Sequence, residues 1–187
     1  MNINETDPNG QTALSCAIHL GQTEKIDLNK LVSYKQERKK GKLSSLHIAA
    51  LRTNLNICEQ LLCQEGLNVN KEGEWDGWKG VFALHLAVVT GNTETIKLIL
   101  SHQNIDVNKK KTGKEEVSAL GKSLMLGNEK ITNILLSHSM IEVTPADRAL
   151  ANRRQPKIVE QLDIDKVNHH LETINSTLAF TFSLIYF

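Results

Sequence analysis

Ala83-Leu84-His85-Leu86-Ala87-Val88, followed by Gly91-Asn92 and then Ile96 to Leu100, is the stretch whose reading decides the fold. Leu84, Leu86, Ala87 and Val88 give a first helix an apolar stripe. Gly91 tolerates the positive φ that ends a helix. Thr93 can cap a second helix, whose Ile96, Leu98, Ile99 and Leu100 bury against the first. The same phrase occurs as Ala13-Leu14-Ser15-Cys16-Ala17-Ile18 and as Ser45-Leu46-His47-Ile48-Ala49-Ala50. A weaker copy is Ala119-Leu120-Gly121-Lys122-Ser123-Leu124. The leucines at 14, 46, 84 and 120 are 32, 38 and 36 residues apart. Each copy leads into a second apolar stretch: Ile26 to Leu31, Ile57 to Leu62, Ile96 to Leu100 and Ile131 to Leu136. Ser101-His102-Gln103-Asn104-Ile105-Asp106-Val107-Asn108 is echoed by Ser137-His138-Ser139-Met140-Ile141-Glu142-Val143. A helix pair this short cannot bury its own face, so copies must stack, and Ala17, Ala49 and Ala87 let neighbouring helices approach closely. The expected fold is all-α, a solenoid of stacked helix-turn-helix units with projecting loops.

Composition agrees with that reading. Apolar residues make up 40% of the 187, enough for a real core, while aromatics are only 4%. A core of Leu, Ile, Val and Ala suits helix packing better than a β-sandwich. With 22 basic and 21 acidic residues the net charge is +1, which gives no global field for nucleic acid or an acidic membrane. Cys16, Cys58 and Cys63 are odd in number and lack framework spacing, so they read as reduced, partly buried thiols of an intracellular protein. Met1 to Glu5 has neither a basic start nor an apolar run, so no secretory signal is expected, although export without a cleaved signal stays open.

The repeated phrase resembles the ankyrin repeat, whose units open with an Asp-x-x-Gly-x-Thr turn and continue Pro-Leu-His-x-Ala. Asp7-Pro8-Asn9-Gly10-Gln11-Thr12-Ala13-Leu14 is similar to that opening, and Gly21 with Glu24 to its inter-helix turn. Leu46-His47-Ile48-Ala49-Ala50 and Leu84-His85-Leu86-Ala87, with Gly91-Asn92 and Glu94, carry the likeness further. The fourth copy is degenerate, with Gly121 for His and Ser123 for Ala. The array is expected over 1–162, with units at about 5–34, 42–70, 80–108 and 116–143 and a partial unit at 144–162 that has no hairpin before it. Two connections depart from the pattern. Ser33 to Lys42 is long and basic, which puts its hairpin in doubt, and Lys71 to Gly80 is longer than the family norm.

The resemblance implies a non-catalytic protein-binding scaffold that meets its partner with loop tips and the adjoining first-helix surface. His47 and His85 are then structural, tying adjacent loops together. Trp75-Asp76-Gly77-Trp78 holds both tryptophans in a projecting loop. Trp75, Asp76 and Trp78 are therefore candidate partner contacts, since exposed Trp is over-represented among residues that dominate binding. The alternative is that the rings fold back and stiffen a neighbouring finger. Lys39, Lys40 and Lys110 are the candidate steering charges. They come from two basic loops, Lys35 to Lys42 and Lys109-Lys110-Lys111 with Lys114, that could align as one stripe. Plain solvated loop charge is the other reading.

No Gly-x-x-x-x-Gly-Lys, His-Glu-x-x-His or Gly-x-Ser-x-Gly occurs, and neither cysteine in the Cys58 to Cys63 segment has an activating neighbour in sequence, so no enzyme, cofactor or metal is expected. His169-His170 has no matching Cys or acidic cluster. The expected partner is another protein rather than a small-molecule substrate. Repeats ending in an Ile-Asp-Val-Asn phrase occur in eukaryotes and in bacteria living inside eukaryotic cells, so a bacterial source would imply a host protein. The tail, 163–187, becomes uncharged from Thr173 and ends Phe180-Thr181-Phe182-Ser183-Leu184-Ile185-Tyr186-Phe187. A cap, an interfacial anchor and a truncated end compete there. Basic loops together with such a tail leave a membrane- or nucleic-acid-associated protein, or a fragment of a larger one, as alternatives.

Overall fold

The computed structural model describes residues 27–112 and 116–159. Three inner helices, α1 (Ser45–Leu51), α3 (Ala83–Thr90) and α5 (Ala119–Leu126), alternate with three outer helices, α2 (Leu55–Leu62), α4 (Thr93–Leu100) and α6 (Glu129–Leu136). α1 packs on α3 and α3 on α5, each outer helix packs on its own inner helix, and α2 packs on α4 and α4 on α6. The middle inner helix is enclosed by neighbours and buries every residue from Ala83 to Val88, as a helix with apolar side chains nearly all round must. The outer helices bury one stripe each: Ile57, Cys58 and Leu61; Ile96, Ile99 and Leu100; Ile131, Leu135 and Leu136.

Helix starts follow one rule. Asn54, Asn92 and Asn128 are the N-caps of α2, α4 and α6, each accepting a hydrogen bond from the backbone N–H three residues on. Asn92, not Thr93, therefore caps the second helix of the third unit. Gly91 and Gly127 end α3 and α5 in the left-handed conformation. Thr53 holds the equivalent place in the second unit with φ of 54°, an uncommon state for a β-branched residue.

The all-α expectation needs correction, because the projecting loops are paired strands. β1 (Val32–Gln36) and β2 (Lys39–Leu43) form one finger, β3 (Gly73–Trp75) and β4 (Trp78–Val81) a second, and β5 (Lys110–Lys111) and β6 (Val117–Ser118) a third. The first two fingers pair edge to edge into one antiparallel sheet in the order β1-β2-β3-β4. The hairpin placed in doubt by the basic run at 33–42 does form, turning at Glu37-Arg38 with Glu37 at φ 53°. Backbone groups of arms that leave the helical stack need partners, and a neighbouring arm supplies them.

On the other edge of the stack an asparagine ladder joins successive units. Asn29, Asn70 and Asn108 each donate from the side-chain amide to a carbonyl of the next unit: Gly66, Asn104 and Met140, at 2.7–2.8 Å. The same side chains accept from the backbone N–H of Asn68, Asp106 and Glu142, at 2.7–2.9 Å. Asp27, Asn68 and Asp106 fold each loop by accepting from the N–H two residues on. The Asp27-Leu28-Asn29 segment is thus a turn with Leu28 buried, so the described part of the Ile26 to Leu31 stretch is not a second helix.

The chain divides into two compact units between Glu142 and Val143. In the second unit, α7 (Pro145–Arg154) starts at a capping box in which the Thr144 hydroxyl donates to Asp147 and accepts from its N–H. The apolar tail, Cys16, Lys114 and His169-His170 lie outside the described residues. No helix among the described residues is long and apolar enough to cross a membrane.

Candidate interaction surface on the fingers

The finger sheet sorts its side chains by alternation. Tyr34, Gly41, Trp75 and Trp78 lie in register across β1 to β4 and share one face. That face packs on the inner helices, joining Leu43, Val81, Ile48 and Leu86 in one cluster. Tyr34 and Trp75 meet over Gly41 with ring centroids 5.7 Å apart, and Arg52 donates to the Tyr34 hydroxyl at 3.3 Å. A Cβ at Gly41 would fall on the Glu74 carbonyl oxygen and come within 2.9 Å of Trp75 Cα. Only glycine lets β2 and β3 approach this closely.

The opposite face carries Ser33, Lys35, Lys40, Lys42, Glu74 and Lys79. Register places Lys35 beside Lys40, and Ser33, Lys42, Glu74 and Lys79 in one row. A concavity of about 520 Å³ is lined by these residues together with Tyr34, Gly41, Trp75, Gly77 and Trp78. All four lysines are exposed, and none has an ion pair or side-chain hydrogen bond among the described residues.

Each candidate residue has a definite place. Trp75 is 4% exposed and packs within the finger sheet against Tyr34. Asp76 and Gly77 form the tip of the second finger, both at positive φ (53° and 81°), the geometry of a two-residue hairpin turn. Asp76 N–H donates to the Lys40 carbonyl at 3.0 Å, and its carboxylate pairs with Lys39 Nζ at 3.7 Å. Both partners are exposed, so that pair contributes under about 1 kcal/mol. Trp78 is half-buried, with Lys111 and Lys122 ammonium groups 4.9 and 4.6 Å from its ring centroid. Lys40 projects from the lysine face of the first finger. Lys110 is exposed on the third finger, beyond the four-stranded sheet. The fold thus brings Lys39, Lys40, Asp76 and both tryptophans into one sheet and leaves Lys110 on its flank.

Lys42 and Lys111 belong to the two basic runs expected to form one stripe, whereas Tyr34, Lys79 and Lys122 are not marked by sequence reading as parts of this surface. Asp76-Gly77 between aromatic and apolar residues is a strong hairpin signal, and it would have given the alternation that sorts the two faces. Lys122 carried no such signal, because its contact with Trp78 joins residues on different units.

The histidines join units. His47 Nε2 donates to the Val81 carbonyl and His85 Nε2 to the Val117 carbonyl, both at 2.8 Å, so each ring carries a proton on Nε2. His47 Nδ1 accepts from the Ser44 hydroxyl at 2.6 Å, whereas His85 Nδ1 is buried without a partner. Burial, only partly offset by the carbonyl bond, lowers both rings to about 4. Cys58 is buried and its thiol is pushed up to about 12 by desolvation, which keeps it inert, while Cys63 is exposed at the end of α2. Among the described residues no three His, Cys, Asp or Glu side chains gather where they could hold a metal ion.

No curated protein matches this sequence. The family model for ankyrin repeats, described as three copies, matches residues 1–73 and 46–147. Helix pairs stacked in phase, paired fingers and a histidine joint at the start of two inner helices agree with that match. The chain belongs to the ankyrin repeat family.

Proposed function

We propose that the chain is a non-catalytic scaffold that binds another protein through the outer surface of its fingers. Ankyrin repeats are generally protein–protein interaction modules. The observation that carries the reading here is the fusion of two fingers into one rigid four-stranded platform with an unpaired lysine face. Trp78 and Lys40 in the lining of the concavity, the Lys39–Asp76 pair at the tips and Lys110 on the flank are the contact candidates. Trp75 acts from behind, holding the platform flat against the inner helices. The partner is met inside a cell, where reduced Cys58 and Cys63 remain thiols.

The test is affinity capture from a eukaryotic lysate with wild type beside a Lys40→Glu/Trp78→Ala/Lys110→Glu triple variant, with circular dichroism to confirm that both stay folded. A partner held by wild type and lost by the variant supports the finger surface. Identical capture by both proteins would move the site away from the fingers.

A further inference from the structure

We infer that the lysine face of the finger sheet takes an extended acidic segment of the partner, one that carries carboxylates at alternate positions. This deepens the scaffold reading and rests on it. Lys35, Lys40, Lys42 and Lys79 surround the concavity with a single acid, Glu74, among them. The four lie within a sheet whose strands are about 4.8 Å apart, inside one another's field at physiological salt, where the screening length is about 8 Å. No ion pair with these lysines relieves that repulsion among the described residues. An anionic ligand would.

Geometry narrows the ligand. Lys40 and Lys42 alternate along β2, so their Cα atoms are about 6.8 Å apart, and an extended peptide repeats its same-side chains at that spacing. Carboxylates at i and i+2 therefore match the two lysines in register, and Lys35 beside Lys40 and Lys79 beyond Glu74 widen the target across the strands. Glu74 in the middle of the row favours a segment with a basic or neutral residue opposite it, and it repels an unbroken line of phosphates. Nucleic acid fits less well for a second reason. By register the sheet's aromatic rings, Tyr34, Trp75 and Trp78, belong to the other face; Tyr34 and Trp75 are buried and the Trp78 ring is already met by the Lys111 and Lys122 ammonium groups, so none is a free stacking platform among the lysines. A bilayer fits less well because the side chains that register sets on this face, Ser33, Lys35, Lys40, Lys42, Glu74 and Lys79, are all exposed and none is apolar.

The test uses fluorescence anisotropy with the full chain and a labelled decapeptide of alternating Glu and Ser. Oligo-dT and vesicles of equal parts phosphatidylcholine and phosphatidylserine run in parallel. Wild type should bind the peptide, and more weakly as salt rises. Lys40→Gln/Lys42→Gln should lose roughly tenfold in affinity, Glu74→Gln should gain roughly twofold, and Lys130→Gln on α6 should change nothing. Equal peptide binding by wild type and Lys40→Gln/Lys42→Gln would overturn the site. Tighter binding of oligo-dT or vesicles than of peptide would overturn the ligand class. If the peptide fails to bind while lysate capture still depends on Lys40, Trp78 and Lys110, the acidic-segment inference falls and the scaffold reading stands.

Discussion

The joint between the second and third units and the joint between the third and fourth are built from corresponding parts with different chemistry. At the first, β2 and β3 pair along Gly41–Lys42 and Glu74–Trp75, Asp76 adds a further backbone bond, and Tyr34 stacks on Trp75 above Gly41. His47 is satisfied at both ring nitrogens. At the second joint the described residues show one backbone bridge, Lys79 with Thr112, and side chains add to it: Lys111 and Lys122 close on Trp78. His85 keeps its carbonyl bond but has an orphan Nδ1, because Phe82 stands where the second unit has Ser44. The asparagine ladder is alike at both, through Asn70 and Asn108. A repeat array can therefore keep its pitch along one edge while its fingers vary. The first joint is fixed mostly by hydrogen-bonded backbone and the second by packed cations.

Acid is the largest lever, since it strikes both joints together. Each histidine titrates near 4 in the folded chain and near 6.5 once unfolded. Between those values the unfolded chain binds more protons, so stability is complete above about pH 6.5 and falls as pH drops towards 4. Each ring contributes about 3 kcal/mol over that window. Urea midpoints at pH 7 and pH 4.5 should differ strongly for wild type, and by about half as much for His85→Ala. A midpoint that stays flat across that range would mean that neither histidine is a neutral tie.

The next lever separates the joints. Gly41→Ala sets a methyl group on the Glu74 carbonyl, which sits in backbone and cannot rotate away. β2 and β3 must part, at a cost of about 3 kcal/mol. Because Trp75 is pinned by that pairing, its emission should shift to the red while the contacts of Trp78 with Lys111 and Lys122 survive. Unchanged fluorescence and stability in Gly41→Ala would show that the first joint does not depend on close strand pairing.

These contrasts also separate what the sequence tells from what it hides. Stacked helix pairs follow from the recurring Leu-His-x-Ala phrase, from the inter-helix turns and from the second apolar stretches, all local and periodic. The histidine ties come with the family resemblance. The strands were missed because β3 and β4 have only three and four residues and β2 reads as a charge run, Lys39-Lys40-Gly41-Lys42. Their pairing is decided by the neighbouring finger, some thirty residues away in sequence. Trp75 reads as a projecting anchor for the same reason. Whether a finger ring faces outward or towards the helices depends on register, and one residue of slip reverses it. The orphan on His85 is legible only when Ser44 and Phe82 are compared at the same place in two units.

That orphan gives the finest test of the comparison. Ser44→Ala would make the first joint resemble the second at this one atom, leaving His47 Nδ1 with only the distant Ser44 N–H at 3.4 Å. It also removes the hydroxyl that accepts from the His47 backbone N–H at the start of α1. The expected cost is about 1–2 kcal/mol, the range for a lost cap and an unsatisfied buried acceptor. His47→Ala in the same background should then cost less than in wild type, because the ring it deletes is already half unsatisfied. A double-mutant cycle in urea reads that coupling directly. If the two losses simply add, the hydroxyl is serving the helix start alone, and the difference between the joints lies in strand pairing rather than in the second nitrogen of the ring.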